Sequence, residues 1–285
     1  MKKEILIFLI CTLSCFKLFA QEEIHIVLFA GQSNMAGQGI VSNLSKQDIK
    51  RIDNISDRVL ISTSTNSIKN VKPLSFYVSK GENKFGPELF VGLTLAEKNP
   101  NQKYLFIKKA VGGTSLYGAW NSNWSKEKAD LAEKNPEKKK MKLFSEHIKI
   151  INSNLEELKG TNYKILGLLW MQGESDTNKE ITASSYQQNL EDLIAAYRKE
   201  LDLKKLPFII GQINVLPRKY KKGPEQVRNA MDSITRVDKF VEIVKTSLDP
   251  KWLDYPKHSD NLHYNTEGQK KLGIEFTKKL TSLLN

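Results

Sequence analysis

Ser33, Asp260 and His263 are the residues whose types and spacing could together carry out nucleophilic chemistry. Ser33 lies in the segment GQSNMAG at 31–37, directly after the apolar run IHIVLFA. A serine hydroxyl attacks only when a base removes its proton, and that base needs an acid that fixes its tautomer. Asp260 precedes His263 by three residues, so one turn could present both groups. The pattern predicts a Ser–His–Asp triad; the alternative is a surface turn that Asp260 caps, with His263 incidental.

Three other histidines compete with His263 for the role of base. His25 and His147 fall on strand and helix patterns, where a histidine is more often structural. His258 lies only two residues before Asp260, in a stretch with the composition of an exposed loop. The sequence therefore favours His263.

An acyl-transfer site also needs hydrogen-bond donors where negative charge develops on the carbonyl oxygen. The first candidate is the backbone N–H of Ser33, because a turn that enters a helix leaves its amides free. The pair Gly112-Gly113 and the side-chain amide of Gln172 follow two other strand-like segments. Each signal is weak alone, but three donors on neighbouring loops form a more specific set.

Two other hydrolytic designs fit the sequence less well. The GxSxG elbow of α/β-hydrolases needs glycine at position 35, where this chain has Met35. A metal site could be imagined from Glu174, Asp176, Asp260 and His263, but the chain has no HExxH-like pair. We therefore expect neither a metal nor another cofactor.

Apolar strand-like runs alternate with helical patterns along the chain. The predicted strands lie at 24–30, 103–110, 164–171, 207–213 and 240–246. The predicted helices lie at 88–98, 142–158, 185–201 and 225–237, with a last helix that Thr266 caps. This alternation predicts an α/β/α sandwich around a parallel sheet of about five strands, whose carboxyl ends carry the ligand site. Residues 39–84 have weak periodicity and are interpreted as loops with a short strand or two above the strand ends.

The first 20 residues have the pattern of a secretory signal peptide. A basic pair precedes the apolar run ILIFLICTLSCF, and small and polar residues follow around Ala20. A lipid anchor at Cys15 is a less favoured alternative. We expect an exported protein, periplasmic or secreted, with one domain at 21–285 and no cysteine after cleavage.

The chain carries a formal net charge of +12, a balance that can indicate polyanion binding. Much of the excess lies in the lysine-rich segment 125–142, where acidic residues are interleaved and aromatic residues are absent. We interpret this segment as a solvated loop and helix face. The sequence predicts no nucleic-acid partner, and no membrane association after signal cleavage.

At these motifs the sequence resembles the SGNH (GDSL-like) hydrolases, and within them the sialate O-acetylesterase and carbohydrate esterase family 6 group. The similar stretches occur in the family's order and span nearly all of the mature chain. They are GQSNMAG at 31–37, GPEL at 86–89, AVGGTSL at 110–116, WMQGESD at 170–176, FIIGQI at 208–213 and DNLHYNTEGQKKLG at 260–273.

The resemblance implies roles for individual residues. Ser33 is similar to the family's nucleophile, His263 to its base and Asp260 to the acid that orients the base. The N–H of Ser33, the N–H of Gly113 and the side chain of Gln172 resemble its oxyanion donors. Residues implied to bind substrate or support the site are Gln32, Asn34, Gly112 and Glu174.

The activity implied is removal of acetyl groups from a carbohydrate without a metal. The lysine-rich segment 125–142 and residues 39–84 depart from the common pattern, which leaves the identity of the sugar open. One alternative is a carbohydrate-binding protein without turnover. Another is a lipase or thioesterase with an apolar cleft lined by the aromatic residues Tyr117, Trp120, Trp124 and Trp170.

Overall fold

The computed structural model describes residues 23–63, 71–76, 83–249 and 251–284. The predicted signal peptide at 1–20 and the lipid-anchor alternative at Cys15 lie outside these residues and stay predictions. Within the described ranges, no helix combines the length and the apolar content needed to cross a bilayer.

Seven strands form one large sheet in the described part of the chain, and two more form a small antiparallel ribbon. In chain order the strands are β1 (Ile24–Gly31), β2 (Gly39–Ile40), β3 (Val59–Ser62), β4 (Lys72–Pro73), β5 (Lys84–Phe85), β6 (Lys103–Ala110), β7 (Tyr163–Met171), β8 (Phe208–Gly211) and β9 (Val241–Val244). The large sheet has the order β4-β3-β6-β1-β7-β8-β9, and only the β3–β4 pair is antiparallel. The predicted α/β fold with a central parallel sheet is confirmed, and all five predicted strands are present.

Residues 39–84 contribute more to the sheet than the sequence suggested. Strand β3 pairs parallel with β6, and β4 pairs antiparallel with β3, so this region extends one edge of the sheet from five strands to seven. Strands of four and two residues are too short to give a periodic signal between polar flanks. The short strands expected in this region are present, but their expected position above the strand ends is corrected, since two of them belong to the large sheet.

Helices cover both faces of the sheet. They are α1 (Ser33–Ala36), α2 (Lys46–Asp53), α3 (Glu88–Lys98), α4 (Lys126–Ala132), α5 (Pro136–Lys139), α6 (Leu143–Glu157), α7 (Glu180–Ser184), α8 (Tyr186–Glu200), α9 (Gly223–Val237) and α10 (Thr266–Ser282). The apolar side chains of α6, α8 and α9 pack on one face, and those of α2, α3 and α10 pack on the other.

The central strand β1 shows why two covered faces require a nearly continuous apolar run. Successive side chains of a strand point to opposite faces. Ile26, Leu28 and Ala30 belong to the core beneath α6, α8 and α9, whereas Val27 and Phe29 belong to the core beneath α3 and α10. All five side chains are fully buried, so β1 is held from both sides and gives the site a rigid base.

His147 and His25 lie where structural histidines were expected, away from Ser33. The ring of His147 is fully buried, with Nδ1 2.8 Å from the hydroxyl of Tyr197 and Nε2 3.4 Å from the carbonyl oxygen of Ile107. Burial lowers the pKa of His147 to about 3, so its imidazole is neutral in the folded protein. His25 lies at the start of β1 beside Glu23.

Candidate active site

Three neighbouring strands end level with one another, and their following residues form the candidate site. In the sheet register, Gly31 at the end of β1 pairs with Ala110 on β6 and with Met171 on β7. The loops that carry Ser33, Gly112-Gly113 and Gln172 therefore start at the same edge, as expected for parallel strands.

The turn at 31–36, which we call the nucleophile turn after the predicted role of Ser33, requires glycine at its first position. A Cβ atom on Gly31 would lie 2.1 Å from the carbonyl oxygen of Met171, which is a severe clash. The close approach lets the amide of Gln32 donate to that same oxygen at 2.9 Å. Helix α1 then begins at Ser33, so only Gln32 separates the serine from the rigid strand β1.

Ser33, His263 and Asp260 form a continuous chain of hydrogen bonds. The Oγ atom of Ser33 lies 2.9 Å from Nε2 of His263, and Nδ1 of His263 lies 2.6 Å from Oδ2 of Asp260. The other carboxylate oxygen of Asp260 accepts from the backbone amides of Leu262 and His263, each at 2.9 Å. Burial alone would raise the pKa of Asp260, but these two amides and the imidazole lower it to about 2. The acid is therefore ionised at neutral pH.

The turn at 258–263, which we call the base turn after the predicted role of His263, is closed by a hydrogen bond within its own backbone. The amide of His258 donates to the carbonyl oxygen of His263 at 2.8 Å, and Asn261 adopts a positive φ of 54° between them. The ring of His258 is engaged elsewhere, with Nε2 2.8 Å from the carbonyl oxygen of Gln38. The structure thus places His263, and not His258, against Ser33.

The cap of the last helix differs from the expectation by one residue. Asn265 caps α10, because its side chain accepts from the amide of Gly268 at 3.0 Å. Thr266 is the first helical residue, and its hydroxyl instead bonds both the amide and the carbonyl oxygen of Ile40. Asn and Thr both favour helix starts, so the sequence alone did not separate them.

Asn34 joins the nucleophile turn to the turn that carries the base. Its Oδ1 accepts from the amide of Tyr264 at 3.1 Å, and its Nδ2 donates to the carbonyl oxygen of Leu262 at 3.3 Å. The same Nδ2 donates to Oε1 of Glu174 at 3.0 Å. The two backbone partners flank position 263, so the Asn34 side chain fixes the base turn relative to the serine.

Glu174 supports the nucleophile turn from the end of β7. The Glu174 side chain is buried, and its two carboxylate oxygens accept from the side-chain amides of Gln32 and Asn34. Burial raises the pKa of Glu174, and these two amides act in the opposite direction. These contacts join Gln32, Asn34 and Glu174 to one another, and their role in supporting the site or binding substrate stays a prediction.

The backbone amides of Ser33 and Gly113 are available as oxyanion donors. In the part of the chain that the structure describes, neither the N–H of Ser33 nor that of Gly113 donates to a protein acceptor. A Cβ atom on Gly112 would lie 3.3 Å from Cβ of Ser33, which shows how closely the glycine loop approaches the serine. Gly113 has a φ of 66°, a conformation that favours glycine and that orients its amide.

Gln172 bonds within the protein interior, and its contacts differ from those predicted. The side chain is fully buried, and Nε2 donates to the carbonyl oxygen of Thr114 at 2.9 Å and to Oδ2 of Asp176 at 2.6 Å. Both amide hydrogens are therefore engaged within the protein, and neither is left for an oxyanion. In this arrangement Gln172 ties the end of β7 to the glycine loop.

Asp176 belongs to the same buried hydrogen-bond network as Gln172. Its carboxylate accepts from the amides of Leu116 and Tyr117 at 2.9 and 3.0 Å, beside its bond from Gln172. Burial raises the pKa of Asp176 to about 7, against the effect of the donated hydrogen bonds. No group of three metal-binding side chains occurs among the described residues.

Replacement of Gln172 by alanine is expected to lower stability and activity together. The change removes one buried donor from the carbonyl of Thr114 and one from the carboxylate of Asp176, which keeps its two bonds from backbone amides, and it leaves a cavity. We expect a cost of about 2–4 kcal/mol in the free energy of unfolding. Urea unfolding and ester hydrolysis should be measured side by side, with Gln188→Ala as an exposed control. A loss of kcat at unchanged stability would instead place Gln172 at the oxyanion.

A cavity of about 370 Å³ opens over the serine and contains charges that the sequence analysis missed. Its lining residues are Gln32, Ser33, Gln38, Gly112, Gly113, Lys138, Glu174, Ser175, Arg218, Leu262 and His263. The ammonium of Lys138 donates to the carbonyl oxygens of Gly112 at 2.6 Å and Gly113 at 3.3 Å. The interpretation of segment 125–142 as a solvated face is thus corrected for Lys138, which no spacing rule distinguishes from its neighbouring lysines.

The tryptophans near the motifs belong mostly to the core. Trp120 and Trp170 are fully buried and pack edge to face, with ring centroids 5.2 Å apart. Trp124 packs beneath the ammonium of Lys142, at 4.4 Å from ring centroid to Nζ. None of the three is among the residues that line the Ser33 cavity.

Similarity to known proteins agrees with the resemblance read from the motifs. A family model described as "Carbohydrate esterase, sialic acid-specific acetylesterase" matches residues 23–282. A probable carbohydrate esterase of Arabidopsis thaliana is 34% identical over 127 residues, which cover 45% of this chain and 44% of that relative. The alignment thus spans less than half the length of the curated relative.

Three solved structures show the same fold at low sequence identity. A protein of Arabidopsis thaliana has a TM-score of 0.64 and 22% identity, over 90% of this chain and 98% of that one. A carbohydrate acetylesterase from Xanthomonas citri has a TM-score of 0.62 and 16% identity, over 90% and 56%. NanS has a TM-score of 0.59 and 13% identity, over 93% and 97%. Because the family model spans almost all of the described residues, the chain belongs to the family of carbohydrate esterases that contains the sialic acid-specific acetylesterases.

Proposed function

We propose that this protein is a serine esterase that removes O-acetyl groups from a carbohydrate. The observation that carries the proposal is the hydrogen-bonded chain from Ser33 through His263 to Asp260, beside the backbone amides of Ser33 and Gly113, which donate to no acceptor among the described residues. Membership of a carbohydrate esterase family supports ester hydrolysis as the reaction class.

The proposed mechanism proceeds through an acetyl-enzyme. The Oγ atom of Ser33 attacks the acetyl carbonyl carbon while Nε2 of His263 takes the hydroxyl proton. The carbonyl oxygen becomes an oxyanion beside the amides of Ser33 and Gly113, and Asp260 stabilises the imidazolium. The C–O bond to the sugar then breaks, and the sugar alcohol leaves with the proton from His263.

Deacetylation repeats the same proton transfers with water. His263 removes a proton from a water molecule, whose oxygen attacks the acetyl carbon on Ser33. The second tetrahedral intermediate collapses, Ser33 regains its proton from His263, and acetate leaves. No metal or organic cofactor takes part in this scheme.

The proposal includes export and a single catalytic domain. Its support is the basic and apolar pattern of residues 1–20, together with a family match that begins at residue 23. The catalytic domain would then occupy residues 21–285, in the periplasm or outside the cell.

Covalent labelling combined with an acetate assay tests the proposed reaction. An organophosphonate should add once per chain, at Ser33, and the unlabelled protein should release acetate from one or more of acetylated xylan, sialoglycans and pectin. The Ser233→Ala variant should label like the wild type, because Ser233 lies on the exposed surface of α9. Sugar binding without an adduct or acetate would favour a binding protein without turnover. Cleavage restricted to long acyl chains would favour a lipase.

A further inference from the structure

Five basic side chains line the Ser33 cavity or lie near the residues that line it. We call them the cationic rim, which consists of Lys134, Lys138, Lys179, Arg218 and Lys219. Lys138 and Arg218 line the cavity itself, together with Ser33 and His263. The other three do not line it, but Lys134 interacts electrostatically with Lys219, with Lys179 and with the cavity residue Arg218.

The charges of the cationic rim are not neutralised by the protein. Among the described residues, none of the five forms an ion pair with a carboxylate. Other lysines of the same segment are paired: Lys126 and Lys139 contact Asp130, and Lys140 contacts Glu137 at 3.0 Å. Within segment 125–142, the lysines without a described ion pair therefore include Lys134 and Lys138, and Lys138 lines the cavity.

Crowding of like charges is visible at Lys134. The ammonium of Lys219 lowers the pKa of Lys134, and burial and the guanidinium of Arg218 act in the same direction. Lys179 is held close by a hydrogen bond from its ammonium to the carbonyl oxygen of Leu131. Cations kept together without counter-charges favour an anionic partner.

The acidic groups of the cavity are already engaged. The carboxylate of Glu174, which lines the cavity, is buried and accepts from two side-chain amides. The carboxylate of Asp260, behind His263, is bonded to the imidazole. Arg218 donates one bond to the carbonyl oxygen of Glu174 at 2.7 Å, and Lys138 uses two of its three hydrogens on the glycine loop. Both cations thus retain donors for a ligand.

We propose that the cationic rim binds an acidic glycan chain that carries carboxylates on successive sugars, and that this chain is the substrate of the esterase. Lys138 and Arg218 bind the carboxylate of the acetylated sugar in the cavity. Lys134, Lys179 and Lys219 bind carboxylates of the neighbouring sugars, because these three side chains lie outside the cavity. This inference rests on the proposed function, and it adds that the substrate is negatively charged and extends over several sugars.

An acidic glycan fits the cationic rim better than a nucleic acid. Two members of the cationic rim line the cavity that contains Ser33 and His263, and no Phe, Tyr or Trp side chain lines that cavity for base stacking. A short polyuridylate of matched charge serves as the competing polyanion in the test below.

The kinetic test compares acidic and neutral acetylated chains. For acetylated polygalacturonate, K134Q/K219Q should raise KM at least about 10-fold, and added NaCl should raise KM more in the wild type than in this variant. On acetylated xylan and p-nitrophenyl acetate the same variant should change KM far less. The matched control K126Q/K140Q, which changes two ion-paired lysines of the same segment, should behave like the wild type on every substrate.

Binding to the full-length Ser33→Ala variant separates this proposal from the proposed function. Calorimetric titration with deacetylated polygalacturonate should show binding that weakens with NaCl and with K134Q/K219Q, whether or not any ester is cleaved. Equal KM for acidic and neutral chains, equal losses in the control variant, or tighter binding of polyuridylate would each overturn the proposal. Absence of turnover on every ester, with salt-sensitive polygalacturonate binding retained, would overturn the proposed function and leave the cationic rim as a binding site for acidic glycans.

Discussion

Replacement of Ser33 by alanine is expected to lower kcat on an acetate ester by about 10³-fold or more. The change removes the attacking oxygen, and the triad then retains no nucleophile, whereas the two backbone amides of the site remain. Stability should stay close to that of the wild type, because the Ser33 hydroxyl bonds only the ring of His263 among the described residues.

The measurement is hydrolysis of a chromogenic acetate ester alongside a thermal melt. Ser233→Ala is the matched control, since it removes an equivalent hydroxyl from the exposed surface of α9. If Ser33→Ala retained the wild-type rate, the nucleophile assignment would be wrong. A large loss of both rate and melting temperature would point to damage of the turn instead.

The change Asp260→Asn is expected to lower kcat by on the order of 10³-fold through the tautomer of His263. The side-chain oxygen of the new amide would keep its bonds from the amides of Leu262 and His263, which leaves its NH₂ group opposite Nδ1 of the imidazole. Nδ1 must then accept, so the proton moves to Nε2, and Nε2 cannot take the proton of Ser33.

A control variant and a measurement of the His263 tautomer separate an effect on catalysis from damage to the fold. Asp254→Asn, an exposed change on the same segment, is the control and should leave the rate unaltered. The ring proton of His263 can be assigned by nitrogen NMR, which should show protonation at Nδ1 in the wild type and at Nε2 in Asp260→Asn. Wild-type activity with the changed tautomer would exclude the proposed base.

The catalytic motifs and the central strands were predictable because their signals are local. A strand buried on both faces is an apolar run, and a turn that approaches another backbone closely requires Gly31. Asp260 and His263 are three residues apart, so their contact depends on one turn and not on the whole fold.

Other features depend on partners distant in sequence, and no local pattern reveals them. Gln172 follows its strand as predicted, but the direction of its amide is set by Thr114 and Asp176. Lys138 differs from neighbouring lysines only in that the packing of α5 brings it to the carbonyls of Gly112 and Gly113. Strand β3 is stabilised by its parallel pairing with β6, which is distant in sequence.

The hydrogen bond between Ser33 and His263 joins positions 230 residues apart. The base turn is positioned by α10, whose Gly273 packs against Pro87 and Phe90 at the start of α3. If Ser33 and His263 have their proposed roles, a nascent chain carries the serine early in synthesis but gains the histidine contact only after α10 has emerged and docked. Until then Ser33 lacks its proposed base, so an unfinished or unfolded chain should not cleave esters.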